Sequence, residues 1–275
     1  MSPKEILGVT VKKAVGKANL SIAGMLLLGF LAGAFIAFGA EASNMAAFNL
    51  LSDASTFGLG RVLCASIFPV GLILVILAGA ELFTGNTLIL AGVLDKEVSW
   101  GKMLKNWFFV YVGNLIGAVF IAWMMNYCGL LDSGAGLLGA VTVKIGAGKT
   151  SLAFGKAFIL GIMCNWLVCL AVWMAFGADS TIGKIFCIFF PIWLFVASGF
   201  EHSVANMYYI PAAIMAKVKY MDGALGIGAS QEALDSLNWS GFFVDNLIPV
   251  TLGNIVGGCI FVAMIYWLVY RKTEK

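Results

Sequence analysis

Charge is scarce in this chain. Asp, Glu, Lys and Arg make up 11% of its 275 residues, where a soluble domain carries about 25%, so a water-soluble globular protein is excluded. Histidine occurs once, as His202. The six cysteines, Cys64, Cys128, Cys164, Cys169, Cys187 and Cys259, form no C-x-x-C and have no histidine at ligand spacing. They read as small apolar fillers, and neither a metal nor any other cofactor is expected. Lys and Arg form no basic, aromatic-rich stripe, which argues against nucleic acid as a partner. Met1 to Ala18 holds four lysines and a glutamate and lacks the compact apolar core of a cleavable leader.

What the chain does have is apolar length. Hydrophobic residues make up 61% and the mean hydropathy is +0.97. A bilayer span takes about 20 apolar residues, and such stretches run over 20–42, 62–94, 103–130, 152–178, 185–216 and 247–270. The expectation is an all-α membrane protein with six transmembrane helices and the lipid bilayer as its surroundings. Ser2, Pro3 and Glu5 form a capping box with proline in the first turn. They begin an amphipathic helix expected over 1–19, ahead of one pore domain at 20–270 and a tail at 271–275. Placing both termini on the cytoplasmic side puts eleven of the seventeen Lys and Arg residues there, as the positive-inside rule favours. A prokaryotic inner membrane is the expected location.

The second and fifth stretches exceed 30 residues and carry Gly, Glu and Asn midway, at Gly79-Ala80-Glu81 to Asn86 and Gly199-Phe200-Glu201 to Asn206. Both read as broken helices, tolerated at membrane depth only where the backbone is buried in protein or lines a cavity. Three features recur in the same order: Ala37-Phe38-Gly39-Ala40-Glu41 with Ala175-Phe176-Gly177-Ala178-Asp179, the Glu81/Asn86 spacing with Glu201/Asn206, and Gly113-Asn114 with Gly253-Asn254. They imply two copies of a three-span unit, about 20–130 and 152–270. Three is odd, so the copies insert in opposite senses and the site lies where the two breaks meet.

Glu81 and Glu201 are expected to accept hydrogen bonds from backbone amides freed by the breaks and so to brace them, with Asn86 and Asn206 as further structural residues there. His202 has no counterpart in the first half, where Leu82 follows Glu81. Burial favours the neutral imidazole, with one donor and one acceptor, able to donate to an anion or to exchange a proton with it. Gly146-Ala147-Gly148-Lys149-Thr150 imitates a phosphate loop, but Val143 stands where that pattern needs glycine.

Glu81-Leu82-Phe83-Thr84-Gly85-Asn86, Gly199 to Met207, Asn246 to Asn254 and Gly161 to Met174 together resemble the formate/nitrite transporter family over nearly the whole chain. The resemblance implies an aquaporin-like homopentamer with one pore per protomer and no enzymatic activity. It implies His202 as the central pore histidine, Thr84 on the loop that interrupts the second span, and Asn165 near the histidine. By the same resemblance, Phe68 and Phe195, with Leu72 and Val168 nearby, form the outer constriction, Leu82 and Phe83 the inner one, and Lys149 and Lys17 charge the two vestibules.

The function this implies is passage of small monovalent anions of weak acids, formate first, with nitrite and hydrosulfide as alternatives. The anion crosses either as an ion or as its protonated form. A water or glycerol channel and a membrane-embedded enzyme are the rivals; a lone histidine and two bracing glutamates make a poor catalytic set.

Overall fold

A computed structural model describes residues 1–272; positions 273–275 of the expected tail lie outside the described residues. The described chain is helical throughout. Six helices are long and apolar enough to cross a membrane. The elements are α1 (Pro3–Ala18), α2 (Ile22–Ser52), α3 (Phe57–Gly79), α4 (Phe83–Leu94), α5 (Trp100–Tyr127), α6 (Leu137–Thr150), α7 (Phe154–Gly177), α8 (Thr181–Ser198), α9 (Ser203–Gly226), α10 (Gln231–Ser236) and α11 (Gly241–Arg271).

Local chemistry sets several helix starts. The capping box forms at α1: Ser2 N–H donates to Glu5 Oε2 at 2.6 Å, and Ser2 Oγ accepts from Glu5 N–H. Ser21, Ser99 and Ser180 cap α2, α5 and α8 by accepting the N–H of the residue three positions on. Proline at position 69 interrupts α3 without ending it.

Both expected breaks are present and built alike. Gly79 at φ +86° ends α3 and Gly199 at φ +80° ends α8, a left-handed turn that favours glycine. Two residues later Glu81 and Glu201 lie outside helix, Leu82 and His202 after them are in extended backbone, and α4 and α9 restart at Phe83 and Ser203.

The two halves pack the same way. α2 lies against α5 and α7 against α11, so close that a Cβ on Gly117 would sit 2.0 Å from the Phe30 carbonyl and one on Gly257 2.3 Å from that of Ile162. The glycine spacing seen in the sequence therefore serves helix contact.

Two features differ from the sequence expectation. α2 runs ten residues past Ala42, because Ser43 and Asn44 are buried and the helix continues through them. α6 is a helix that the span count does not contain. It is too short and too mixed to read as a span, and it packs on α9 as α1 packs on α4.

The repeat itself needs one correction. The Leu28 and Leu160 carbonyls accept the N–H of Glu81 and Glu201, and the Gly29 and Gly161 carbonyls accept Nδ2 of Asn114 and Asn254, so these positions are equivalent at a separation of 132 residues. The Ala37–Glu41 and Ala175–Asp179 pentapeptides are offset by 138, so they are not equivalent positions. The first lies within α2, whereas the second runs off the end of α7. The other two matches, at 120 and 140 residues, hold.

Candidate functional site

The two breaks come together at the middle of the molecule, each inside the same hydrogen-bonded frame. In the first half Asn86 Nδ2 donates to Glu81 Oε2 at 2.7 Å and to Asn106 Oδ1 at 2.8 Å. Lys17 Nζ lies 2.7 Å from Glu81 Oε1. Asn114 Nδ2 donates to the carbonyls of Gly29 and Glu81, and its Oδ1 accepts Phe83 N–H.

The second half repeats each contact. Asn206 Nδ2 donates to Glu201 Oε2 at 2.6 Å and to Asn246 Oδ1 at 2.8 Å. Lys149 Nζ lies 2.8 Å from Glu201 Oε1. Asn254 Nδ2 donates to the Gly161 and Glu201 carbonyls, and its Oδ1 accepts Ser203 N–H. Asn106 and Asn246 complete the frames by donating to the Lys17 and Lys149 carbonyls. The glutamates do not take the freed backbone amides as expected: their carboxylates accept from the Asn and Lys side chains, while Asn114 and Asn254 serve the backbone groups of the breaks.

Asn106 and Asn246 were missed as site residues by sequence reading. The signal was present: each stands eight residues before Asn114 or Asn254, at the same separation of 140. Lys149 and Lys17 each line a cavity, and each is ion-paired with the glutamate of its own break.

Between the frames the symmetry fails. Thr84 Oγ1 lies 2.9 Å from His202 Nε2, and both residues are buried. The backbone N–H of Ala205 donates to His202 Nδ1 at 3.2 Å, so in the neutral ring the proton is assigned to Nε2, which donates to Thr84 Oγ1. Asn165 stands one layer behind. Its Nδ2 donates to the Asn254 carbonyl at 2.7 Å and to the Thr84 carbonyl at 3.2 Å. The Thr84 carbonyl also accepts from Thr87 Oγ1 at 2.7 Å and Cys169 Sγ at 3.4 Å.

Two cavities approach this point from opposite faces. The one on the α6 face, about 260 Å³, reaches Phe68, Phe195 and His202. Phe68 and Phe195 meet edge to face at 5.6 Å between ring centroids, and Phe195 lies 6.0 Å from the His202 ring. The other, about 830 Å³, opens on the α1 face and reaches Leu72, Leu82 and Val172. No residue lines both.

Leu72 belongs to the second cavity and not to the aromatic end of the first. Val168 is buried and lines neither. Phe83 turns away from both, its ring edge-on to Trp107 at 6.0 Å and Tyr111 at 4.9 Å. Val172 was not singled out from the sequence. Among the described residues no group of three or more His, Cys, Asp or Glu is placed to hold a metal.

Comparison with known proteins agrees with this architecture. The family model described as formate/nitrite transporter matches residues 4–268. A probable formate transporter of Methanothermobacter thermautotrophicus is 43% identical over 270 residues, covering 93% of this chain and 92% of its own. The formate channel FocA of Escherichia coli strain K12 is 38% identical over 219 residues, covering 79% and 77%. A solved pentameric formate channel with formate bound superposes with a TM-score of 0.78 at 38% identity, over 90% of this chain and 97% of that one. With six apolar helices, paired breaks and a family match over nearly its whole length, the chain belongs to the formate/nitrite transporter family of membrane channels and transporters.

Proposed function

We propose that the chain conducts a small monovalent anion of a weak acid, formate first, between the two cavities and past the Thr84–His202 pair. The observation that carries this reading is the 2.9 Å contact of those two side chains where the cavities are separated. Phe68 and Phe195 on one side, and Leu72, Leu82 and Val172 on the other, strip water from a passing ion. Losing hydration costs several kcal/mol for a small ion, so donors are needed at that point. The Nε2 proton and the Thr84 hydroxyl proton are the donors on hand. Holding the Thr84 backbone by Asn165, Thr87 and Cys169 keeps the hydroxyl aimed at the ring.

The His202 ring orientation favours hydrogen-bond donation over proton relay. Nδ1 accepts the Ala205 N–H, so carrying a proton across the ring requires that bond to break first. Nitrite and hydrosulfide share the charge and small size of formate and are the second and third substrates. The solved formate channel that this chain resembles is pentameric, and Phe108, Phe120 and Trp123 on α5 and Phe186 and Phe190 on α8 are exposed apolar surface available to neighbours or lipid. Five copies per assembly, each with its own pore, and α1 on the cytoplasmic side complete the reading.

Flux into proteoliposomes tests it, comparing formate, nitrite, hydrosulfide and glycerol with internal pH and membrane potential recorded together. Formate flux with an electrical signal and no matching proton uptake is expected. Proton uptake one for one refutes the hydrogen-bonding role in favour of proton relay, and glycerol flux without anion flux refutes the anion reading.

A further inference from the structure

We infer that Arg61, Lys144 and Asn44 form a holding site for a small carboxylate anion on the wall of the α6-face cavity, upstream of His202. The inference rests on the anion-conducting reading above and adds to it the group that captures the anion on this face.

The charge balance of the cavity is the first argument. Three cations line it, Arg61, Lys144 and Lys149, with Glu201 the carboxylate among its lining residues. Lys149 takes that carboxylate at 2.8 Å. Among the described residues neither Arg61 nor Lys144 has an ion-pair partner. Each spends one donor on a carbonyl near a helix end: Arg61 Nη2 on Val196, at the end of α8, and Lys144 Nζ on Ile227, just past α9, at 2.6 Å. Such contacts favour a cation and hold the two groups in place. A guanidinium has five N–H donors and an ammonium three, so both keep donors for a ligand.

Asn44 is the second argument. It lines the same cavity, is 3% exposed, and its Nδ2 has no hydrogen-bond partner among the described residues. A buried amide donor left unpaired is costly. Asn44 therefore brings an amide donor without a protein partner to a residue that lines the cavity. Two cations and an amide match a planar carboxylate with two oxygens, since guanidinium binds such a group in bidentate fashion. A simple electrostatic funnel needs no neutral donor; a built site does.

Half-saturating formate concentration for flux from the α6 face separates these possibilities. Asn44→Ala changes no charge, and it is expected to raise that concentration about threefold or more. Arg61→Gln is expected to raise it about tenfold, with Arg61→Lys recovering part of the loss. If Arg61 only caps α8, Arg61→Gln lowers thermal stability and leaves half-saturation at the wild-type value, which overturns the inference. An unchanged Asn44→Ala value overturns the built site as well. Wild-type protein without anion flux is a different result, and sinks the parent reading instead. Should a variant fail to assemble, a cryo-EM map of the wild-type assembly at saturating formate decides: anion density among the three side chains supports the site, and its absence there refutes it.

Discussion

Thr84 Oγ1 and His202 Nε2 lie 2.9 Å apart across the boundary between the two repeats, although they are not equivalent positions. The counterpart of Thr84 is Val204 and that of His202 is Leu82, each 120 residues away. One half supplies the hydroxyl and the other the imidazole, so the polar contact exists only because the inverted copies face each other.

Thr84→Val removes the partner of the Nε2 proton and leaves that buried donor unpaired, at a cost of about 1–3 kcal/mol. Formate flux is expected to fall about tenfold or more while the protein still assembles. His202→Phe is expected to abolish or strongly reduce flux. Wild-type flux in either variant, measured in proteoliposomes, would remove the pair from the pathway.

Glu201→Gln leaves Lys149 without its counter-charge in a buried frame whose members are 16% and 7% exposed. Breaking one member of such a pair costs about 3 kcal/mol or more, so a lower thermal midpoint is expected. Adding Lys149→Met to Glu201→Gln should recover part of the loss. A double variant no more stable than the single one argues against coupling through the pair. The same cycle at Lys17 and Glu81, 23% and 10% exposed, is expected to show a smaller effect.

Gly258→Ala places a Cβ 2.0 Å from Thr87 Oγ1 and 2.7 Å from both Asn165 Nδ2 and Cys169 Sγ, the three groups that hold the Thr84 carbonyl. Overpacking of this kind costs about 1–3 kcal/mol, and flux should drop with it. Gly101→Ala, in the first turn of α5 where an added Cβ meets nothing within 4 Å, is the control and should keep both stability and flux. Equal behaviour of the two variants would contradict the packing argument.

The cap of α1 should be acid-sensitive. Hydrogen bonds from the Ser2 backbone N–H and then its hydroxyl hold the Glu5 carboxyl below its usual value of 4.5. A carboxyl depressed in the folded state stabilises above the unfolded value, and that contribution is lost as pH falls through the folded one. Amide protection in the first turn of α1, the exchange rate taken relative to the intrinsic rate at each pH, is therefore expected to fall as pH drops below 4.5, and Ser2→Ala should show the lower protection already at neutral pH. Protection that stays the same as pH falls in the wild type would deny the cap this role.

The class of the protein, its six spans, the two broken helices and the singularity of His202 were legible because they depend on composition and local periodicity. A span is legible as length without charge, and a break as glycine and glutamate inside that length. The frame asparagines were legible in principle, since Asn106 and Asn246 repeat at the same separation as Asn114 and Asn254, but a repeat has to be aligned at the right offset before its polar members stand out. The Ala37 and Ala175 pentapeptides misled because small and aromatic residues recur by chance in apolar helices.

What the chain determines by itself is which segments enter the bilayer and where they break, because burial in lipid tests each segment separately for apolar length and backbone satisfaction. Which side chains meet was decided by the tertiary structure. Lys17 and Lys149 read as vestibule charges from the sequence, and the fold pairs each with the glutamate of its own break. Phe83 reads as a pore residue beside Leu82 and turns its ring onto α5. Arg61, from α3, and Lys144, from α6, share a cavity wall with Asn44 of α2. Contacts of this kind join residues tens to more than a hundred positions apart. No local preference encodes them: the ion pairs and the Phe83 contacts follow from how helices fold together within one half, and the shared cavity wall from the packing of one half against the other.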